Sequence, residues 1–211
     1  MRTTVHRQGI IRFSLWLPNS SSPKQTFMKR RLFLQLPLVA TALFSEAKSF
    51  SKDRPNKGFK VEASKDRYQQ ELLMMGGSFS CKVSSKDTDG DLLIYDTVRH
   101  EKGGPAFHVH HHQDEWFYVI KGAFLVKVGE DTFTLQPGDS AFAPRTVPHA
   151  FAKTGEGEGQ MLVLFQPAGQ MEDFFKEMSK LGPSVPKNQE KTLKELWHKH
   201  GMEIVGPPLT F

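Results

Sequence analysis

The chain has 211 residues, 38% of them hydrophobic and 24% charged, with a formal net charge of +5. That length suits one domain plus extensions, and the hydrophobic fraction can build a globular core but excludes a multi-span membrane protein. The basic charge sits in the leader: residues 1–47 carry Arg2, Arg7, Arg12, Lys24, Lys29, Arg30 and Arg31 against Glu46, a net +6, which leaves the remainder at about −1 and gives no reason to expect a nucleic-acid partner.

Residues 1–27 contain Pro18-Asn19-Ser20-Ser21-Ser22-Pro23, a stretch with no core-forming pattern, and read as a disordered extension or a misassigned start ahead of Met28. Residues 28–47 read as an export signal. Lys29-Arg30-Arg31 precedes an apolar run from Leu32 to Phe44, and Ser45-Glu46-Ala47 offers small residues at the −3 and −1 positions of a cut. The run is too short and too interrupted for a transmembrane helix, which needs about 20 residues. Arg30-Arg31-Leu32-Phe33-Leu34-Gln35 resembles a twin-arginine signal, with Lys29 where Ser or Thr is usual. The expectation is a periplasmic or secreted protein with no transmembrane segment in its mature form.

Residues 48–75 read as a linker and N-terminal arm. From there the pattern predicts short strands at 78–83, 91–99, 106–111, 115–121, 123–128, 131–135, 140–144, 148–153 and 160–166. They are separated by turn signals such as Asp89-Gly90, Gly103-Gly104-Pro105 and Pro137-Gly138-Asp139. Regular spacing of this kind predicts an all-β sandwich or barrel. Cys81, the single cysteine, lies in an alternating stretch and reads as a small buried hydrophobe. After Gln166 the period changes: Met171, Phe174, Phe175, Met178 and Leu181 predict a helix stopped at Gly182-Pro183. A second short helix near 190–200 places Leu193, Leu196 and Trp197 on one face. Residues 169–211 are thus expected to form a helical extension packed on the barrel.

Five of the nine histidines fall between 108 and 149. Alternate residues of a strand share a face, so His108 and His110 can reach one point inside a barrel. A turn at Gln113-Asp114 returns Glu115 to the same point, and the run from Pro137-Gly138-Asp139 to Pro148-His149 supplies a third imidazole. Three imidazoles and a carboxylate suit one divalent transition metal: Fe, Mn, Ni, Co, Cu or Zn. Alternation from these ligands makes Phe117, Val119, Phe142 and Phe151 candidates for an apolar pocket wall. It leaves His112 as an inward residue at the strand end and turns His111 outward. His198 and His200, two apart on a helix, share no face and read as a solvated cationic end.

These spacings resemble the cupin superfamily. His108, His110, Glu115 and Gly122 fit its first motif, with the leading glycine one residue late at Gly103 or two late at Gly104. Pro137, Pro144, Pro148 and His149 fit the second motif as small type-2 cupins carry it, with Lys153 where the older form has Asn. A rival register using His110 and His112 needs Glu at 116 or 117, which are Trp and Phe. Over about residues 76–168 the chain is most similar to monocupins related to quercetin 2,3-dioxygenases. That resemblance implies a double-stranded β-helix or jelly-roll barrel with short C-terminal helices. It implies a small-molecule substrate of flavonol or enol type with O2, Glu115 as both ligand and general base, and a homodimer. The alternatives within the fold are a non-catalytic metal- or ligand-binding module and a cupin isomerase or decarboxylase.

Overall fold

The structure, a computed structural model, describes residues 54–182 and 190–211. The export signal expected at residues 28–47 and the extension expected ahead of it lie outside the described residues. The strands are β1 (Leu72–Met74), β2 (Gly77–Val83), β3 (Leu93–Arg99), β4 (Ala106–His110), β5 (Asp114–Lys121), β6 (Phe124–Val128), β7 (Asp131–Leu135), β8 (Ser140–Ala143), β9 (His149–Lys153), β10 (Gly159–Gln166) and β11 (Met202–Pro208). Helices α1 (Met171–Ser179) and α2 (Glu190–Lys199) fall between β10 and β11. Among the described residues no helix is long and apolar enough to cross a membrane.

Two antiparallel sheets face each other, one ordered β1-β2-β3-β10-β5-β8 and the other β11-β4-β9-β6-β7. The fold is a jelly-roll barrel, and the period-2 pattern of the sequence explains its interior. Along β10, Met161, Val163 and Phe165 are buried while Leu162 and Leu164 are only partly covered. The register sets Val163 opposite Phe117 on one side and Tyr95 on the other, and Phe165 opposite Glu115 and Leu93. Apolar rows therefore run across the sheet, and Glu115 ends one of them. Cys81 is buried among these residues, and burial pushes its thiol up to about 12, so it is an inert part of the core.

Helix α1 buries Met171, Phe174, Phe175 and Met178, the face its 3.6-residue period defines. Phe175 lies 4.8 Å from the Tyr95 ring centroid and 5.5 Å from that of Phe165, so the helix closes on the barrel core. Helix α2 buries Trp197, whose ring meets Phe174 at 5.2 Å.

Two strands depart from the sequence reading. β1 belongs to the expected arm, and β11 replaces the end of the expected helical extension. β11 pairs with β4, with Met202 opposite His110 and Ile204 opposite His108. Its Gly206-Pro207-Pro208 ending looks like a stop signal, but an edge strand tolerates proline, and the register slips at Gly206 and Pro208. His200, expected in solvent, is buried 5.8 Å from the Phe174 ring because the chain turns there into β11.

Candidate metal centre

Strand β4 carries His108 and His110 on its inner face, and β9 pairs with it so that His149 stands directly opposite His108. Strand β5, in the other sheet, aims Glu115 across the barrel. All four side chains are buried, and one ligand atom from each lies within 4.8 Å of the others. His108 Nε2 and His110 Nε2 are 3.2 Å apart. Glu115 Oε2 is 2.8 Å from His149 Nε2 and 3.3 Å from His110 Nε2. Donors about 2.1 Å from one ion lie about 3.0 Å apart when adjacent and about 4.2 Å apart when opposed, so these spacings fit a single ion.

The hydrogen bonds decide which nitrogens face the centre. His108 Nδ1 lies 2.7 Å from the Ala106 carbonyl and His149 Nδ1 lies 2.9 Å from that of Val147. A carbonyl only accepts, so each Nδ1 carries a proton and each neutral ring turns a bare Nε2 lone pair inward. Burial, reinforced by His149 and His110, holds His108 well below the usual histidine range, so it is neutral, and burial also lowers His110. Burial works against charge on His149 too, but the Glu115 carboxylate outweighs it and raises this ring. Burial favours the neutral acid at Glu115, while its interactions with His110 and His149 outweigh burial and hold it ionised. A lone pair and a carboxylate oxygen 2.8 Å apart require a cation between them. A proton on His149 meets that need for one pair, whereas a divalent ion meets it for the whole set, and the cluster suits a single metal site. His110 Nδ1 and Oε1 of the buried Gln113 beside it lack a partner in good hydrogen-bond geometry.

The centre opens on a small apolar cavity. Its walls include Phe151, Val163, Phe165, Phe174 and Trp197 beside His108, His110 and Glu115. Trp197 meets the His108 ring edge-on at 4.8 Å. Of the expected pocket residues, Phe151 lines this cavity. Phe117 is fully buried, 6.3 Å from the His149 ring, and Val119 is fully buried deeper in the core. Phe142 is not a wall: it is 56% exposed on the outer face of β8, because Ala141 and Ala143 take the inward phase. His112 is exposed like His111, since the chain bends between β4 and β5 and no longer alternates there. Lys153, in the position of the family's Asn, is buried and donates to the Gly155 carbonyl at 2.6 Å.

The sequence reading missed two residues of the cavity wall. Trp197 was placed on a packing face without its contact to His108. Arg99 closes the inward series Leu93, Tyr95, Thr97, Arg99 of β3, all buried. A charged residue in phase with that series was the available signal.

An antiparallel barrel with three imidazoles and one carboxylate converging inside it is a β-barrel domain whose interior suits a single metal site. Within that barrel, residues 97–165 match the family model described as "Cupin domain". Solved structures similar to the chain include KdgF from a Halomonas species, with 26% identity over 44% of this chain and 81% of that one at a TM-score of 0.36. An RmlC-like cupin from Shewanella frigidimarina shows 26% identity over 54% and 96% at a TM-score of 0.42. A predicted oxalate decarboxylase from Thermotoga maritima shows 16% identity over 46% and 90% at a TM-score of 0.43. A search of curated proteins gave no match.

Proposed function

We propose that this protein holds one divalent transition-metal ion on His108, His110, Glu115 and His149 and is a dioxygenase-type oxidoreductase acting on a flavonol-like or enol substrate. The observation that carries this reading is the buried convergence of three inward Nε2 atoms and a carboxylate beside an apolar cavity. When bound, a redox-active ion supplies Lewis acidity and electron transfer toward O2. The chain's own residues do the rest. The Ala106 and Val147 carbonyls fix the tautomers and orientations of His108 and His149. The aromatic wall excludes water, which strengthens every polar contact inside. Glu115 is held as a carboxylate and acts first as a ligand. As a general base on a substrate hydroxyl its strength would be set by the ion and the pocket around it.

Oxygen uptake by the metal-loaded protein over a flavonol and enol panel tests the reading. Substrate-dependent uptake supports it. Product formed equally without O2 transfers the site to isomerase or decarboxylase chemistry, and binding without turnover makes it a ligand-binding module. We also propose that residues 28–47 export the protein to the periplasm or beyond, and that it works as a homodimer. Cell fractionation of the protein against an Arg30→Lys, Arg31→Lys variant checks export, with retention of the variant in the cytoplasm expected. Equal export of both forms contradicts a twin-arginine route.

A further inference from the structure

The cavity beside the four ligand residues is also lined by Arg99, whose residue is only 3% exposed. Its Nη2 donates to the Met75 carbonyl, while Nε and Nη1 have no hydrogen-bond partner. No carboxylate pairs with it among the described residues. Burial draws its pKa down to about 10, with Glu101 acting weakly against that. A guanidinium stays charged at neutral pH, and an uncompensated buried charge is costly enough that a folded protein rarely keeps one without a use. Its surroundings hold it in place. A Cβ on Gly76 would lie 3.1 Å from Arg99 Nη2, and one on Gly77 3.1 Å from Arg99 Cγ, so the glycines of the β1–β2 turn let it pack closely against the side chain. The guanidinium carbon lies 5.7 Å from the ring centroid of Phe151, which is two residues along β9 from His149.

The space between Arg99 and the ligand residues is small, about 30 Å³, but it shares Met75, Pro105 and Trp197 with a larger outer groove of about 740 Å³. A ligand body in the outer groove can therefore reach inward past Met75. Each free donor, Nε–H or Nη1–H, can give a hydrogen bond to a carboxylate oxygen, and the second N–H of Nη2 lies beside either of them to complete a parallel pair.

We propose that Arg99 is the anion anchor of the substrate site: it takes the carboxylate of a small organic acid whose other end faces His108, His110 and Glu115. The placement of that far end rests on the function proposed above, whereas the anchor itself does not. Of the substrates proposed above, this favours enols that bear a carboxylate over flavonols, which have none.

The test is thermal melting of the full chain in carboxylate-free buffer at fixed ionic strength, with formate, acetate and benzoate, each compared with its amide. Metal content is measured on the same samples. At least one acid should raise Tm in a saturable way, by about 5 °C at a hundredfold excess over its dissociation constant, while its amide does nothing. Arg99→Met should abolish the shift and keep its metal, and Arg99→Lys should weaken binding about tenfold or more. His149→Ala, depleted of metal, should keep the shift. Equal effects of acid and amide, no shift with any acid, or a full shift in Arg99→Met would each overturn the proposal. If Arg99→Met does not fold, the acid–amide comparison in the unaltered protein and Arg99→Lys decide alone. A wild-type shift in protein that takes up no metal would sink the metal reading and leave the anchor standing.

Discussion

His108 and His149 each give an Nδ1 proton to a carbonyl two residues upstream, and that local habit, rather than any long-range contact, turns their Nε2 atoms toward Glu115. The convergence of His108, His110, Glu115 and His149 was legible in the sequence because a strand's two-residue alternation fixes which histidines share a face. The pocket wall was only partly legible, because alternation says nothing about phase once a strand restarts after a turn. Phe142 fell on the wrong face of β8 for that reason, and His112 sits in a bend where no alternation applies. Arg99 went unread because a charge inside a barrel is the less common outcome for its residue type. A second buried carboxylate, Glu172, is structural. It accepts from Ser84 Oγ at 2.7 Å, Ser85 N at 2.9 Å and Lys176 Nζ at 2.7 Å. Burial works to raise its pKa, but Lys176 and the two serines outweigh this and bring it to about 2. The folded value lies below the unfolded one, so its stabilisation is complete above about pH 4.5 and is lost as pH falls toward 2. Glu172→Gln should cost about 1–3 kcal/mol at pH 7 in urea melts, with the deficit shrinking at pH 3. A deficit independent of pH would show that charge is not what Glu172 contributes.

At the scale of elements, the nine strands expected between 78 and 166 all form, with ends shifted by one or two residues. Their turn residues and alternation are local, and local signals survive folding. β1 and β11 escaped the reading because each is short or proline-ended and exists only through its partner. Met74 pairs with Gly77 across a tight turn, and Met202 pairs with His110 from the far end of the chain. The glycine ahead of His108, out of register with the family motif, acquires a physical reason. A Cβ on Gly104 would sit 1.8 Å from the Phe151 carbonyl oxygen, inside the main chain of β9. Gly104→Ala should therefore push β9 and His149 away from β4, with a stability loss of more than about 2 kcal/mol by denaturant melts and weaker metal retention. Gly58→Ala, where no atom lies within 4 Å, is the control and should stay within about 0.5 kcal/mol. Equal stability of the two variants would mean that the strands do not approach as described.

For the whole molecule, the barrel supplies the rigidity and the C-terminal segment supplies the cover. Helix α1 seals the core through Phe174 and Phe175, α2 lays Trp197 against His108, and β11 backs the ligand strand β4. The barrel's packing, not the ion, forms the core, so loss of metal should leave the fold standing. Elemental analysis of the purified full chain, beside His149→Ala, tests the central claim most directly. The account predicts about one equivalent of a divalent transition metal in the wild type. It predicts an affinity at least about 100-fold weaker in a variant that still melts cooperatively. A wild type that takes up no metal even after reconstitution, or a variant that binds it equally well, would contradict it.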